Sequence, residues 1–270
     1  MSVGSEVRYG RRGLFIDGRE LPAASGEVFA VHAPESEALI GHAARGNGDD
    51  VARAVAAARS ALPSWRDAPP GAREAALLAG ADALERRGDA LLDLLIDESG
   101  STVRKARGEI AYGATLLRTA AGEARRLYGE TFPHDDGRRL SFVLREALGV
   151  VAVVSPFNAP LALFLKMCAF PLAAGNTVVA KPSEETPLIA VEVARLLHDA
   201  GLPAGVLNVV TGLGREAGEA LTTHADVQGI AFTGSTATGV RIAAHGAATL
   251  KRLQLELGGK NALVVLADAD

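Results

Sequence analysis

From Val150 onward the chain alternates between two periodicities, and this restricts its fold more than any other feature. Runs rich in β-branched and apolar residues occur at Val150–Val154, Thr177–Ala180, Val206–Val210, Gly229–Phe232 and Leu253–Leu257. Stretches of helical period separate them at Pro160–Ala174, Pro187–Ala200, Arg215–Thr223 and Thr238–His245. Apolar strands interleaved with helices predict an α/β chain with a doubly wound parallel sheet, covered on both faces. Such sheets bind ligands beyond the carboxyl ends of their strands. The loops Ser155–Asn158, Lys181–Glu184, Thr211–Gly214 and Thr233–Gly239 are therefore expected along one rim.

The residues before Val150 read differently. Short strands are expected at Leu14–Asp17, Val28–His32 and Leu39–His42, punctuated by turns at Asp17-Gly18 and Ser25-Gly26. A helix capped by Asp49 or Asp50 should run to a break at Pro63. Further helices are expected at Gly71–Arg87, Asp89–Glu98 and Thr102–Leu127, each with apolar residues three and four apart. Tyr128–His134 and Leu140–Leu144 flank Asp135-Asp136-Gly137, a hairpin turn sequence.

Composition removes several function classes. The 28 basic and 32 acidic side chains give a net charge of −4 without a basic block, which argues against a nucleic-acid partner. The single cysteine, Cys168, excludes a disulfide framework, and the six histidines form no H-x-H or H-E-x-x-H pair, so no metal site is expected. The apolar stretch 150–175 is interrupted by Ser155, Pro156, Asn158, Pro160, Lys166 and Pro171 and is no membrane span. The N-terminus shows no secretory pattern. A cytoplasmic protein is the expectation.

Four motifs fall at strand ends. Phe232-Thr233-Gly234-Ser235-Thr236-Ala237-Thr238-Gly239 follows a strand and opens a helix. It reads either as a phosphate cradle, with free N–H groups and hydroxyl donors, or as an ordinary tight turn. Lys181-Pro182-Ser183-Glu184 reads either as a ribose clamp or as a solvated charged loop. In Ser155-Pro156-Phe157-Asn158-Ala159-Pro160, two prolines fix the backbone around one amide. Asn158 is then either an oxyanion donor or the cap of the helix from Pro160. Glu256-Leu257-Gly258-Gly259-Lys260 offers either a general base with room for a ligand or a surface turn.

In this order, SPFNAP, KPSE, FTGSTATG and ELGGK resemble the aldehyde dehydrogenase superfamily. The N-terminal GLFIDGRELPAASGE and DDVARAVAAAR agree, so the resemblance covers essentially the whole chain. It implies a Rossmann-like cofactor domain over 1–255, with a projecting hairpin at about 128–148 used in oligomerisation. The start of a second α/β, catalytic domain follows at 256–270. It implies NAD(P)-dependent oxidation of an aldehyde to an acid through a cysteine thiohemiacetal and thioester. Asn158 would hold the oxyanion and Glu256 would activate water. NAD or NADP would contact Ser155, Phe157, Lys181, Ser183, Glu184, Gly214, Phe232, Thr233, Gly234, Ser235, Thr238 and Leu257. Glu184 is compatible with NAD, because a 2′-phosphate would sit against its charge. The implied partners are a small aldehyde and further copies of the chain, as a homodimer or homotetramer. SPFNAP and Gly129-Glu130-Thr131-Phe132-Pro133 look most like members acting on aromatic or hydroxylated aldehydes.

Two positions depart from the family pattern. The residue nine after the asparagine, lysine in many members, is Met167, with Lys166 one place earlier. The family's nucleophilic cysteine lies a few tens of residues past the glutamate, whereas the sequence runs fourteen residues past Glu256. Cys168 sits within the apolar helix LALFLKMCAF, where burial would keep it inert. An incomplete, inactive copy of the enzyme is thus expected. The alternative is a stand-alone, non-catalytic dinucleotide-binding module. A short-chain dehydrogenase is set aside, because none of Tyr9, Tyr112 or Tyr128 has a lysine four residues later.

Overall fold

The computed structural model describes residues 7–259 and 261–269. Lys260, named above in the ELGGK motif, lies outside them. The N-terminal strands are β1 (Arg11–Arg12), β2 (Leu14–Ile16), β3 (Arg19–Leu21), β4 (Val28–His32) and β5 (Leu39–Ala44). Three helices follow, α1 (Gly48–Arg66), α2 (Pro70–Ser99) and α3 (Val103–Ala124), and then a hairpin of β6 (Glu130–Phe132) and β7 (Ser141–Val143). The alternating half comprises β8 (Val150–Val154), α4 (Pro160–Ala173), β9 (Thr177–Lys181), α5 (Pro187–Asp199) and β10 (Leu207–Val209). A π-turn at Gly214–Gly218 leads into α6 (Glu219–Thr223), β11 (Gly229–Gly234), α7 (Thr236–Ala247) and β12 (Arg252–Leu257).

The main sheet has the order β12-β11-β8-β9-β10-β2-β3. Its first five strands are parallel, as the alternation predicts. β2 and β3 extend it in antiparallel fashion beyond β10. That extension is new relative to the sequence reading, because pairing between segments almost two hundred residues apart leaves no local signal. β12, which contains Glu256 and Leu257, completes the opposite edge.

Side chains alternate across the parallel strands as the period of two requires. Val151, Val153, Val178, Ala180 and Ala231 join the core under α4 and α5, with α2 and α3 packed outside those helices. Val150, Ala152, Val179, Ile230 and Phe232 join a second core with α1, α6 and α7. Both faces are covered, which is why strands β8 and β9 read as continuous apolar runs.

Several boundaries differ from the expectation. Asn47, not Asp49 or Asp50, caps α1, with Asp50 completing the capping box. Pro63 lies inside the last turn of α1 without ending it. Trp65, one turn-half later, is buried and donates its indole N–H to the Leu172 carbonyl at 3.0 Å, which holds the turn in place. The two helices expected on either side of Gly88 are one, α2. A Cβ at Gly88 would come within 3.0 Å of Ile110, so the glycine permits close packing on α3 rather than a break. α7 begins at Thr236, two residues earlier than expected, which puts Gly239 inside the helix against Leu257.

Candidate functional site

The connection from β8 runs through α4 to β9 on one side. β11 lies on the other side of β8 and leads outward through α7 to β12. The chain therefore turns in opposite directions from two adjacent parallel strands, and a crevice opens beyond their carboxyl ends. A cavity of about 440 Å³ occupies that place. Of the residues expected to bind cofactor, Ser155, Phe157, Lys181, Ser183, Glu184, Gly214, Phe232, Thr233, Gly234, Ser235 and Thr238 line it.

Lys181 ends β9 and is 2% exposed. Its ammonium donates to Glu184 Oε2 at 3.0 Å and to the Pro182 carbonyl at 2.9 Å. Burial pushes its pKa below the ordinary lysine range, against the opposing charge and hydrogen bond of Glu184. Burial alone would raise the Glu184 carboxyl. The Lys181 charge and hydrogen bond, with backbone N–H groups of Glu184 and Gly214, outweigh that and hold it low. The mutual charge and hydrogen bond favour the ionised form of both partners, against the burial that opposes it. This is not the solvated loop of the simpler sequence reading, because a buried ammonium needs a fixed partner.

Ser235 caps α7: its Oγ accepts the Thr238 N–H at 3.2 Å and donates to Thr238 Oγ1 at 2.9 Å. The first N–H groups of the helix point past it into the cleft with the positive end of the helix dipole. Gly234 accommodates the Phe232 ring beneath the turn, since a Cβ there would lie 2.5 Å from it. Thr233 Oγ1 donates to Met167 Sδ at 3.5 Å, which places the departed lysine position behind the strand end. On the opposite wall, Arg45 grips Glu216 with Nε at 3.0 Å and Nη2 at 2.7 Å, pinning the π-turn that presents Gly214 and Gly218.

Arg215, Gly218, Thr222, Arg241, Ile242 and His245 also line the cavity and were not singled out from the sequence. They lie on the π-turn and on helix faces of α6 and α7, so only the packing of those two helices brings them to the cleft. Arg241 and His245, four residues apart, had the helical spacing that could have drawn attention to them.

Asn158, Glu256 and Leu257 do not line the cavity. Asn158 is exposed, and the cap position of α4 is Ala159, without a side-chain cap bond. Its amide thus has no capping role. Glu256 is exposed at the end of β12, and its Oε1 lies 3.9 Å from Lys166 Nζ of α4. Leu253 and Leu257 pack against glycines of α7, whereas Glu256 faces the side of α4. Cys168 is fully buried in α4, and burial pushes its thiol pKa up, as its apolar surroundings foretold. Among the described residues no helix is long and apolar enough to cross a membrane.

Known proteins can now be set beside this geometry. The mitochondrial benzaldehyde dehydrogenase of Antirrhinum majus is 41% identical over 261 residues, covering 95% of this chain and 49% of the relative. The NADP/NAD-dependent aldehyde dehydrogenase PuuC of Escherichia coli (strain K12) is 41% identical, over 94% of this chain and 52% of its own length. Two crystal structures of PnpE, one in complex with nicotinamide adenine dinucleotide and one of the protein from Pseudomonas sp. WBC-3, each match with a TM-score of 0.90 at 42% identity, over 93% of this chain and 52% of that one. The chain thus spans about half the length of the relatives it matches. The model of the aldehyde dehydrogenase family matches residues 21–270, and the chain belongs to that family.

Proposed function

We propose that these residues form the dinucleotide-binding part of an enzyme that oxidises an aldehyde to a carboxylic acid with NAD(P). The observation that carries the reading is the cleft at the switch point, with the buried Lys181 paired to the part-exposed Glu184 on one wall and the open start of α7 on the other. The pair offers a donor and an acceptor for the two hydroxyls of the adenosine-side ribose. Ser235 and the first N–H groups of α7 receive the pyrophosphate. Ser155, Phe157 and Thr233 approach the nicotinamide end, while Leu257, packed on α7, lies outside the cavity at the end of β12. Held in the cleft, the nicotinamide would supply the acceptor for the aldehyde's hydride.

Asn158, free of any capping role, donates its amide N–H to the oxygen that becomes negative when a thiolate adds to the carbonyl. Glu256 takes the proton from the water that then releases the acid. The thiolate is not Cys168, the single cysteine of the sequence, because its burial raises the pKa and blocks approach. The 270 residues alone therefore bind cofactor without turnover. The ionised Glu184 stands against a 2′-phosphate, so NAD is preferred over NADP. The similarity to a benzaldehyde dehydrogenase supports an aromatic substrate. The hairpin exposes Phe132, Leu140, Phe142 and Leu144, which supports its use in a homodimer or homotetramer.

Calorimetric titration with NAD and NADP, beside an assay with benzaldehyde, tests this reading. Saturable NAD binding, weaker NADP binding and no NADH are expected. Absence of NAD binding would overturn it, and steady NADH formation would overturn the exclusion of Cys168. Iodoacetamide supplies a second check: Cys168 should be alkylated only after unfolding.

A further inference from the structure

Helices α4 and α5 start on the cleft side of the sheet. Each has proline in its first turn, and neither has a side-chain cap of its own. At the start of α5 the cap position is Thr186, a residue type that commonly caps. Its hydroxyl is instead buried and bonds to nothing among the described residues. Glu98, at the end of α2, reaches across and supplies the cap. One carboxyl oxygen accepts the Leu188 N–H at 2.5 Å and the other the Ile189 N–H at 3.0 Å. The side chain is 2% exposed, so this costly placement of a carboxyl is offset by bonds to a helix start.

The loop carrying Lys181 and Glu184 is strung between two anchors. At its beginning, β9 is held by the ladder, with the Val210 N–H on the Ala180 carbonyl at 2.9 Å and the Ser155 N–H on the Lys181 carbonyl at 3.2 Å. Within the loop, Ser183 accepts the Glu185 N–H at 3.3 Å on its hydroxyl and the Thr186 N–H at 3.2 Å on its carbonyl. At its end the first turn of α5 is held by Glu98. Glu184 is three residues from Pro187, the first residue of that helix, so any shift of the helix start moves its carboxylate.

We propose that Glu98 is a positioning residue for the cofactor: by capping α5 from the neighbouring helix, it sets the Lys181–Glu184 pair on the adenosine-side ribose. The inference rests on the dinucleotide reading of the cleft. It assigns a binding consequence to a residue that touches no ligand and lies outside the cavity.

The test uses the 270-residue chain and AMP, which carries the adenine, ribose and one phosphate but no nicotinamide. AMP and NAD are titrated calorimetrically into the wild type, Glu98→Gln, Glu98→Leu and Lys251→Met. Gln retains one acceptor oxygen and Leu none. Lys251 is a buried control at the amino-terminal end of the strands, where it donates to the His224 and Val227 carbonyls at 2.7 and 2.6 Å. Glu98→Leu should weaken AMP binding about tenfold and Glu98→Gln by less. Lys251→Met should unfold at lower urea while binding AMP as the wild type does. Unchanged AMP affinity in the Glu98 variants overturns the proposal, as does an equal loss in Lys251→Met, since the effect would then follow global stability. If Glu98→Leu does not fold, the comparison of Glu98→Gln with Lys251→Met decides. A wild type that binds NAD but whose Glu98 variants bind AMP normally overturns this inference alone. A wild type that binds neither ligand overturns the dinucleotide reading as well.

Discussion

Two lysine–glutamate pairs stand at the carboxyl rim of the sheet, and they differ in nearly every respect that matters. Lys181 and Glu184 lie 3.0 Å apart, with the lysine side chain 3% exposed. Lys166 and Glu256 lie 3.9 Å apart, with side chains 41% and 54% exposed. The lysine of the first pair has lost its water and is held by Glu184 and the Pro182 carbonyl, while the Glu184 side chain is 41% exposed. The second is solvated at the edge strand β12. The lysine on the wall proposed to bind the dinucleotide is therefore already fixed, whereas the side chains proposed for the chemistry, Asn158 and Glu256, are exposed. A polar group that must be ready before a ligand arrives is buried and paired, because preorganisation removes the cost of fixing it later.

The sharpest way to break this contrast is to remove the buried ammonium. Lys181→Met keeps the length of the side chain but leaves Glu184 without its donor and the ribose without one of its contacts. Charge-assisted hydrogen bonds are worth ~1.5–3 kcal/mol, so NAD affinity should fall roughly a hundredfold, read by calorimetry. Glu184→Gln retains an acceptor and removes the charge. NAD affinity should fall by about tenfold or less. The preference for NAD over NADP should narrow, because the repulsion of a 2′-phosphate is lost. An unchanged ratio of the two affinities would show that Glu184 does not face the ribose.

Proton titration sharpens the same comparison with a smaller effect. Lys181 has a folded-state pKa below the unfolded value of 10.5, so between the two values the unfolded chain binds more protons. Through that window stability therefore rises with pH as far as this group is concerned. Binding behaves oppositely, because the charge that holds Glu184 is lost as Lys181 deprotonates. Glu184 has a folded-state pKa below 4.5, so its contribution is present above 4.5 and disappears as pH falls through the lower value. NAD affinity should thus be lost at the acid end as Glu184 is protonated and at the alkaline end as Lys181 loses its proton, with Glu98, pushed up to about 8 by burial, titrating between them. Calorimetry across pH checks this: a step near pH 8 that vanishes in Glu98→Gln belongs to the cap of α5 and not to the pair.

How much of this was legible in the sequence depends on whether the controlling interaction is local. The parallel strands could be read because β8, β9 and β11 are continuous apolar runs buried on both faces and β12 alternates. The strand-end motifs could be read because a glycine, proline or charge interrupts an apolar run. β2 and β3 in the main sheet could not, since their place depends on pairing with distant β10. Pro63 and Gly88 suggested breaks that Trp65 and the close approach of Ile110 override. Eleven of the residues assigned to the cofactor meet in one cavity, because they sit at strand ends or in the first turns that follow the strands. Arg241 and His245 escaped notice because a helix face acquires meaning only from what it packs beside. Glu98 escaped for the same reason: nothing near it in sequence reveals that it caps a helix ninety residues away.

The smallest effect is expected at the exposed pair, and it is informative for that reason. Lys166→Ala removes the partner of Glu256 where both side chains are solvated and 3.9 Å apart. Coulomb attraction at that distance in water is largely offset by the entropy of ordering two long side chains. The change in unfolding free energy should therefore stay within about 0.5 kcal/mol, and NAD affinity should not move. Urea unfolding and calorimetry on the same preparation measure both. A larger loss of stability would mean that Lys166 anchors the edge strand β12 to α4, so that the orientation of Glu256 is built into these residues. A loss of NAD affinity without loss of stability would mean that the lysine, one place before Met167, reaches the cofactor itself. In either case the contrast between a fixed lysine on the proposed binding wall and an open chemical edge would have to be redrawn at α4, the helix that begins just after Asn158 and carries Lys166.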